Sequence, residues 1–427
     1  MLIDRRNLLK VAGAAAGTLA MPAVLRAQTR PQIVIVGGGV AGATCALQLA
    51  RSHPGAFYIT LVEEDTLYTT CFFSNLYLGG LRDFESLRHS YSGLLDYDIN
   101  VINERALLAD RDNKVVTLIS RTRLEYDRLV LAPGIDLNYE AVPGYTPRDA
   151  RLMPHAWKAG RQTQLLKQQL DYVKDGSTIL ILAPPNPYRC PPGPYERASM
   201  MARTLKATGR GNAKIVILDA KEKFSKQALF MEGWESRYPG MIEWLPPSIH
   251  GGIRMLHPDR LEVETDLDTF KGALVNVIPP QHAGVTAYEW NLVDEASGWC
   301  PVDPMTMRSK LDESVFILGD AAIAGDMPKS AFSANSHAKI AARAIASDLL
   351  GTPSVVPRYF NTCWSSIDEN DAVKVGALYE ATPETITTRS SFISQLGESA
   401  EVRKAAFEES EAWYRAIVAD MLGSADI

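Results

Sequence analysis

The chain of 427 residues carries 44 Lys and Arg against 50 Asp and Glu, a formal net charge of −6, and 46% of its residues are hydrophobic. Such a chain is long and apolar enough for two or three globular domains. The acidic balance and the absence of a basic stripe argue against nucleic-acid binding. None of the five cysteines forms the C-x-x-C pair of a zinc site or a thioredoxin-like motif, so no metal site is predicted.

Residues 1–27 differ in composition from everything after them. Arg5 and Arg6 precede an apolar stretch rich in Ala and Gly, which ends at Val24 and is followed by Leu25, Arg26 and Ala27. This pattern predicts a secretory signal peptide of the twin-arginine type and hence a periplasmic protein. The route exports folded proteins, which suits one that must acquire its cofactor first. An uncleaved anchor is the alternative, although the apolar run is too short and interrupted to span a bilayer permanently.

The next segment predicts a dinucleotide site. An apolar run at 33–36 breaks into Gly37-x-Gly39-x-x-Gly42 and continues as an alanine-rich helix, and a second predicted strand ends at Glu63. In this context the first glycine allows a tight turn, the second lets the backbone approach a pyrophosphate, and the third lets the helix pack on the strand. The acid falls where ribose hydroxyls are bound. An ordinary glycine turn in an α/β domain is the simpler alternative.

Polar and aromatic residues surround Cys71 in the segment 68–75. This segment, with R-C-P-P-G-P-Y-E at 189–196 and G-W-C-P-V-D at 298–303, resembles the flavoprotein subunit of flavocytochrome c sulfide dehydrogenase. That family is related to glutathione-reductase-like flavoenzymes and sulfide:quinone oxidoreductases. The resemblance implies FAD, bound covalently through Cys71 as a thioether. One extra threonine lies between Tyr68 and Cys71, which weakens the family role of the tyrosine. The residues alone would favour a buried, inert cysteine.

The resemblance covers nearly the whole chain after residue 27 and implies an α/β fold. It predicts two Rossmann-like domains and a small C-terminal α+β domain. The FAD-binding domain is expected at 28–148 and 270–350, the second Rossmann-like domain at 149–269, and a flavin-binding and interface domain at 351–427.

The second Rossmann-like domain lacks the motif for a nicotinamide cofactor. Its first predicted strand, at 178–182, leads into a loop rich in prolines between Ala183 and Glu196. Prolines lack the N–H groups that would hold phosphate. We therefore expect the flavin to exchange electrons with something other than NAD(P)H, although a nicotinamide bound in another way stays open.

The same loop carries Cys190. The resemblance implies a redox-active disulfide between Cys190 and Cys363, which sequence spacing alone would not pair. It also implies that Glu196 takes a proton from hydrosulfide or a persulfide, since a carboxylate in an apolar pocket has a raised pKa. Glu196 also falls at the start of a predicted helix, where the helix dipole stabilises a carboxylate. The two interpretations are compatible.

A second flavin signature follows a predicted strand at 315–318. Gly319-Asp320 matches the segment in which the superfamily's aspartate binds the ribityl chain, and Lys329-Ser330 opens an alanine-rich helix. The N–H groups of that helix would favour the anionic reduced flavin. Cys45 and Cys300 are expected to be reduced thiols in the core.

The resulting hypothesis is a periplasmic sulfide:cytochrome c oxidoreductase. The chain has no C-x-x-C-H, so the haem is expected in a c-type cytochrome partner. A sulfide:quinone oxidoreductase is one alternative, which the acidic character of residues 401–427 disfavours mildly. An accessory flavoprotein that exchanges sulfur with a thiol-bearing carrier protein is the other.

Overall fold

Strands and helices alternate through residue 350, and a long antiparallel sheet and one helix follow, in a computed structural model that describes residues 30–423. The predicted signal peptide at 1–27 lies outside the described residues. The helices are α1 (Val40–Ser52), α2 (Ser74–Leu78), α3 (Arg161–Tyr172), α4 (Gly193–Ala207), α5 (Gln227–Arg237), α6 (Pro247–His250), α7 (Val285–Glu289), α8 (Ala331–Leu350) and α9 (Ala400–Leu422).

The strands of the described residues are short until the C-terminal sheet. They are β1 (Gln32–Val36), β2 (Tyr58–Val62), β3 (Leu67–Thr69), β4 (Arg88–Ser90), β5 (Ile99–Ile102), β6 (Ala106–Asp110), β7 (Val115–Leu118), β8 (Arg123–Glu125), β9 (Arg128–Leu131), β10 (Ile135–Leu137), β11 (Thr178–Ala183), β12 (Lys214–Asp219), β13 (Ile242–Leu245), β14 (Ile253–His257), β15 (Glu262–Thr265), β16 (Thr269–Lys271), β17 (Leu274–Val277), β18 (Gln281–Ala283), β19 (Cys300–Pro301), β20 (Val315–Ile317), β21 (Ala322–Ile323), β22 (Arg358–Asp368), β23 (Asp371–Ala381) and β24 (Ile386–Ile393).

A parallel sheet of order β20-β9-β1-β2-β5 forms the first core. Its central strand β1 is buried from Ile33 to Val36, because the sheet is covered on both faces. Strand β20 comes from far along the chain and pairs with β9. The C-terminal ends of β1, β2 and β20 therefore lie at one edge of the sheet, where ligands bind in such folds.

A second parallel sheet has the order β13-β12-β11-β17. Strand β11 leads through the proline-rich loop into α4, so the loop lies at the ligand-binding edge of this sheet. The third large sheet is antiparallel, in the order β22-β23-β24, and α9 packs on β23.

The predicted fold class is thus confirmed, with two Rossmann-like parallel sheets and a smaller C-terminal part that mixes a sheet and a helix. The domain boundaries stay predictions. Within residues 30–423 no helix has both the length and the apolar character needed to cross a bilayer.

Candidate functional site

The turn between β1 and α1 is built on glycines. Gly37 has φ +101°, and a Cβ there would lie 2.3 Å from the carbonyl oxygen of Ala132. A Cβ at Gly42 would lie 1.9 Å from the oxygen of Gly37. No other residue fits either position, because real Cβ contacts are never that short. The start of α1 is therefore held close to the end of β1, as the dinucleotide fingerprint requires.

Glu63 closes the same edge of the sheet from the end of β2. Its Oε2 atom accepts a hydrogen bond of 2.6 Å from the backbone N–H of Gly38, and its Oε1 atom accepts one of 3.0 Å from Asp65. Burial raises the pKa of Glu63, and this effect is larger than that of the two hydrogen bonds, which lower the pKa.

A cavity of about 600 Å³, here called the nucleotide cavity, runs along this edge. Most of the predicted cofactor-binding residues line it: Gly37, Gly39, Glu63, Cys71, Gly319 and Asp320. Space is left at Gly39, where the nearest atom to an added Cβ, on Tyr68, lies 3.7 Å away. The Oδ1 atom of Asp320 is buried without a hydrogen-bond partner, although buried carboxylate oxygens are normally satisfied. A ribityl hydroxyl would satisfy it, and the cavity therefore fits FAD.

A smaller cavity of about 100 Å³, here called the sulfur cavity, adjoins the first. Cys71, Cys190 and Cys363 all line it, together with Glu196. Cys71 and Arg189 line both cavities, so they mark the junction between them. The three predicted catalytic residues, from separate parts of the chain, thus surround one small chamber beside the expected flavin.

Different elements position the two predicted catalytic cysteines. Cys190 sits in the proline-rich loop with φ +59°, and its backbone N–H donates a hydrogen bond of 2.8 Å to the carbonyl oxygen of Lys329. Cys363 lies in the middle of β22, opposite Val375 of β23. Both are free thiols in this structure. Burial raises the pKa of each, and for Cys190 the nearby Glu196 raises it further, whereas for Cys363 the ammonium of Lys226 lowers it.

Glu196 lies in the first turn of α4, as predicted, and also faces the sulfur cavity. Its Oε1 atom accepts a hydrogen bond of 2.9 Å from the N–H of Ser366, and its Oε2 atom accepts one of 2.8 Å from Asn75. Burial raises the pKa of Glu196 despite these hydrogen bonds. The carboxyl group is therefore fixed in place and has a raised affinity for a proton.

Three further residues of the site escaped the sequence analysis as individual residues. Asn75 on α2 is hydrogen-bonded to side chains of α4. Arg197 is 2% exposed. Its guanidinium group donates hydrogen bonds to the carbonyl oxygens of His155 and Ala156 and to the side chains of Asn75 and Asn276. Lys226 is 6% exposed beside Cys363. The available signal for Arg197 was a charged residue on the apolar face of a helix.

Three predicted cofactor-binding residues do not line the nucleotide cavity: Gly42, which packs against Gly37 inside the turn, Lys329 and Ser330. The Nζ atom of Lys329 donates to the carbonyl oxygens of Asp320 and Ala322, and lies 3.6 Å from the ring centre of Trp299. Ser330 lines the sulfur cavity and caps α8 by accepting a hydrogen bond of 3.1 Å from the N–H of Ser333. The start of α8 still borders the nucleotide cavity through Ala331.

The two remaining cysteines lie apart from this site. Cys45 and Cys300 are fully buried free thiols, and burial raises the pKa of each to about 12. Residues 30–423 contain no group of three or more His, Cys, Asp or Glu side chains arranged to hold a metal ion.

Three family models match the chain. One describes the central part of the sulfide dehydrogenase (flavocytochrome c) flavoprotein chain and matches residues 163–279, and one describes the flavin-binding part of flavocytochrome c sulphide dehydrogenase and matches residues 355–422. The third, pyridine nucleotide-disulphide oxidoreductase, matches residues 31–173. The resemblance drawn from the sequence is confirmed: the chain is built from the domains of the flavocytochrome c sulfide dehydrogenase flavoprotein family and has a flavin-binding part.

More distant relatives were also found. The chain is 21% identical over 304 residues to the mitochondrial sulfide:quinone oxidoreductase of Mus musculus, a match to 69% of this chain and 66% of that protein. It is 36% identical over 111 residues to a sulfide-quinone reductase of Aquifex aeolicus, or 26% and 25% of the two chains. The crystal structure of the Aquifex aeolicus sulfide:quinone oxidoreductase aligns with a TM-score of 0.69 over 92% of this chain and 93% of that chain at 19% identity, which shows a shared fold.

Proposed function

We propose that this protein, built from flavocytochrome c sulfide dehydrogenase domains, is a sulfide:cytochrome c oxidoreductase. In this proposal hydrosulfide is oxidised through a disulfide between Cys190 and Cys363, and a c-type cytochrome subunit accepts the electrons. The observation that carries the proposal is the sulfur cavity, in which Cys71, Cys190, Cys363 and Glu196 surround one chamber adjoining the nucleotide cavity.

The size and lining of the sulfur cavity favour a very small sulfur substrate. Its volume of about 100 Å³ has room for hydrosulfide. Arg189 lies at the junction of the two cavities, where its guanidinium group faces the carboxylate of Asp320 at 3.8 Å. The aromatic side chains of Trp157, Phe332 and Trp413 also line the chamber.

The chain's own residues would divide the chemistry among them. Hydrosulfide attacks one sulfur of the disulfide, which gives a persulfide on that cysteine and a thiolate on the other. Ionised Glu196 then takes the proton of the persulfide, because its raised pKa gives the carboxylate a higher affinity for a proton. FAD, when bound, accepts two electrons and releases them one at a time, the chemistry that a haem acceptor needs.

The position of Cys71 supports a covalent bond to FAD. Its segment follows the ribose-binding strand β2 and borders both cavities, so the sulfur lies between the expected flavin and the catalytic cysteines. The nucleotide cavity would be lined by Gly37, Glu63 and Asp320 at the FAD phosphates, ribose and ribityl chain respectively. We propose the periplasm as the compartment, on the pattern of residues 1–27.

A sulfide:quinone oxidoreductase is the second candidate, and the relatives from mouse and Aquifex aeolicus favour it. The deciding experiment uses the purified FAD-loaded protein under anaerobic conditions. Sulfide is expected to bleach the flavin absorbance in the wild type but not in Cys363→Ser. Reoxidation by mammalian cytochrome c faster than by decylubiquinone supports the cytochrome proposal, and the reverse order supports the quinone reductase. Flavin reduction by NADH but not by sulfide would overturn both.

A further inference from the structure

Lys226 is a buried cation beside the predicted catalytic cysteines. It is 6% exposed and lies just before α5, with its backbone in the left-handed region at φ +62°. Its Nζ atom donates a hydrogen bond of 2.7 Å to the Oγ atom of Ser365 and one of 3.1 Å to the carbonyl oxygen of Cys363. Both acceptors are on β22, so the side chain reaches from the second parallel sheet to the strand that carries Cys363.

No carboxylate neutralises this ammonium group. Among residues 30–423, Lys226 takes part in no ion pair, and its hydrogen-bond acceptors are a hydroxyl and a carbonyl. Glu196 is a carboxylate that acts on Lys226, but its two oxygens accept hydrogen bonds from Asn75 and Ser366 and not from Lys226. A buried charge without a partner is costly and is seldom kept without a function. A thiolate on Cys363 would supply the negative charge that this ammonium group lacks.

The two sulfurs face unequal charges. Glu196 is the first charged group to act on Cys190, where it disfavours a thiolate, whereas Lys226 is the first to act on Cys363, where it favours one. Lys226 and Glu196 act on both sulfurs, but Lys226 acts more strongly than Glu196 on Cys363 and less strongly on Cys190. The other groups facing Cys363 are neutral: the amide of Asn361, whose Nδ2 atom lies 3.6 Å from Sγ, the hydroxyl of Ser330, and the phenol of Tyr379. Lys226 is therefore the group that supplies positive charge at Cys363.

Two arginines also lie near Cys190, but their charges are already engaged. Arg189 faces the carboxylate of Asp320 at 3.8 Å. Arg197 donates to backbone carbonyls and to two asparagine side chains. Lys226, like Arg197, has no carboxylate within ion-pair distance in the described part of the chain, but its ammonium group is hydrogen-bonded to the strand that carries Cys363.

We propose that Lys226 is the counter-ion of the Cys363 thiolate, and that Cys363 is therefore the sulfur released when hydrosulfide opens the disulfide. This inference rests on the proposed function. The sulfur of HS⁻ bonds to Sγ of Cys190 and keeps its proton, the Cys190–Cys363 bond breaks, and its electron pair leaves with Sγ of Cys363 as a thiolate. Thiol exchange is faster when the leaving sulfur is the more stable thiolate, so Lys226 sets the direction of attack.

The first test measures the two thiols separately in the reduced, FAD-loaded protein. Alkylation by iodoacetamide is followed at each cysteine by peptide mass spectrometry as a function of pH. In Lys226→Met the pKa of Cys363 should rise, so that its alkylation at a pH below that pKa slows about tenfold, because loss of an opposite charge nearby shifts a pKa by about one unit or more. Cys190 should change less.

The matched control is Ser365→Ala, which removes a hydrogen bond of Lys226 and leaves its charge. Little change at Cys363 is expected there. Equal slowing in both variants, or none in Lys226→Met, would overturn the role of the charge. Unfolding is recognisable, because both thiols would then react faster and not slower.

A second measurement on the wild type needs no folded variant. One equivalent of sulfide is added anaerobically to the oxidised protein, and excess iodoacetamide quenches the reaction. A persulfide on Cys190 with a simple alkyl group on Cys363 supports the inference, and a persulfide on Cys363 overturns it. If neither cysteine carries a persulfide, the proposed function fails, while the alkylation result still decides whether Lys226 stabilises the thiolate.

Discussion

The side chain of Asn75 donates a hydrogen bond of 2.8 Å to the carboxylate of Glu196, although 121 residues separate the two in sequence. The same asparagine accepts a hydrogen bond of 3.1 Å from Arg197 and follows Cys71 by four positions. The segment expected to hold the flavin is thus tied directly to the helix that carries the predicted acid. Changes at Asn75 should therefore alter the protonation of Glu196.

Asn75→Ala should raise the pKa of Glu196, because the variant lacks the hydrogen bond that stabilises the charged carboxylate in the wild type. Because ionised Glu196 takes the proton in the proposed function, flavin reduction by sulfide should slow at low pH as Glu196 becomes protonated. In the variant this fall in rate should occur about one pH unit higher, so that at pH values below the pKa of Glu196 reduction is about tenfold slower than in the wild type. Stopped-flow absorbance at several pH values measures this. The titration of sulfide itself affects wild type and variant equally.

The control for this change is Asn113→Ala, whose side chain contacts the carboxylate of Asp110 far from either cavity. Its profile should match the wild type. An Asn75→Ala profile displaced to lower pH, or not displaced, would contradict the assignment of Glu196 as the base.

Glu196→Gln should gain stability relative to the wild type as the pH rises. Because the pKa of Glu196 is raised in the folded protein, its protonated form stabilises the fold fully below the unfolded pKa of about 4.3, and this contribution is lost as the pH rises through the folded pKa. The difference in free energy of unfolding should grow by about 1.4 kcal/mol for each pH unit that separates the two pKa values. Urea unfolding at pH 5 and pH 8 measures it.

The comparison uses the pH dependence alone, since the amide also changes the hydrogen bonds to Asn75 and Ser366 at every pH. The same experiment on Glu262→Gln should give the opposite trend. Hydrogen bonds from Arg260 and Lys271 lower the pKa of that carboxylate, so the wild type gains stability as the pH rises. Parallel trends in the two variants would show that the pKa of Glu196 is not raised.

Cys71→Ser should release FAD on denaturation if Cys71 carries the thioether. The wild type should keep flavin fluorescence on the polypeptide through acid precipitation and a denaturing gel, and so should the control Cys363→Ser, which removes another sulfur of the same cavity. Free FAD in the wild-type supernatant would exclude a covalent bond while leaving the nucleotide cavity intact. The intact mass of each protein gives an independent reading.

Local sequence patterns were sufficient to predict the parallel sheets. The strands predicted at 178–182 and 315–318 are β11 and β20, and each agrees with its predicted bounds to within one residue, because continuous apolar runs between turns leave few alternatives. The glycine fingerprint also located one end of the nucleotide cavity.

The antiparallel sheet and the sulfur cavity were harder to predict. Cys363 lies in β22, whose pairing with β23 depends on contacts across the whole C-terminal part, and no strand was predicted there. Cys190 and Cys363 were brought together by the family resemblance alone. Lys226 appeared only as part of a matching segment, because a single lysine in a sequence carries no sign of its burial.

A last prediction concerns the surface that would meet a cytochrome. Phe360 on β22 and Phe392 on β24 are each 50% exposed and border a groove that is also lined by Trp413, which in turn lines the sulfur cavity. Exposed aromatic side chains on a sheet are typical of protein interfaces.

Replacing both Phe360 and Phe392 with Ser should slow cytochrome c reduction about tenfold through loss of anchoring contacts, and leave flavin reduction by sulfide unchanged. The control is Leu267→Ser, a residue 69% exposed in the hairpin between β15 and β16, which should affect neither rate. Steady-state and stopped-flow assays separate the two half-reactions, and equal losses in both would show that the aromatic pair supports the fold and not a partner.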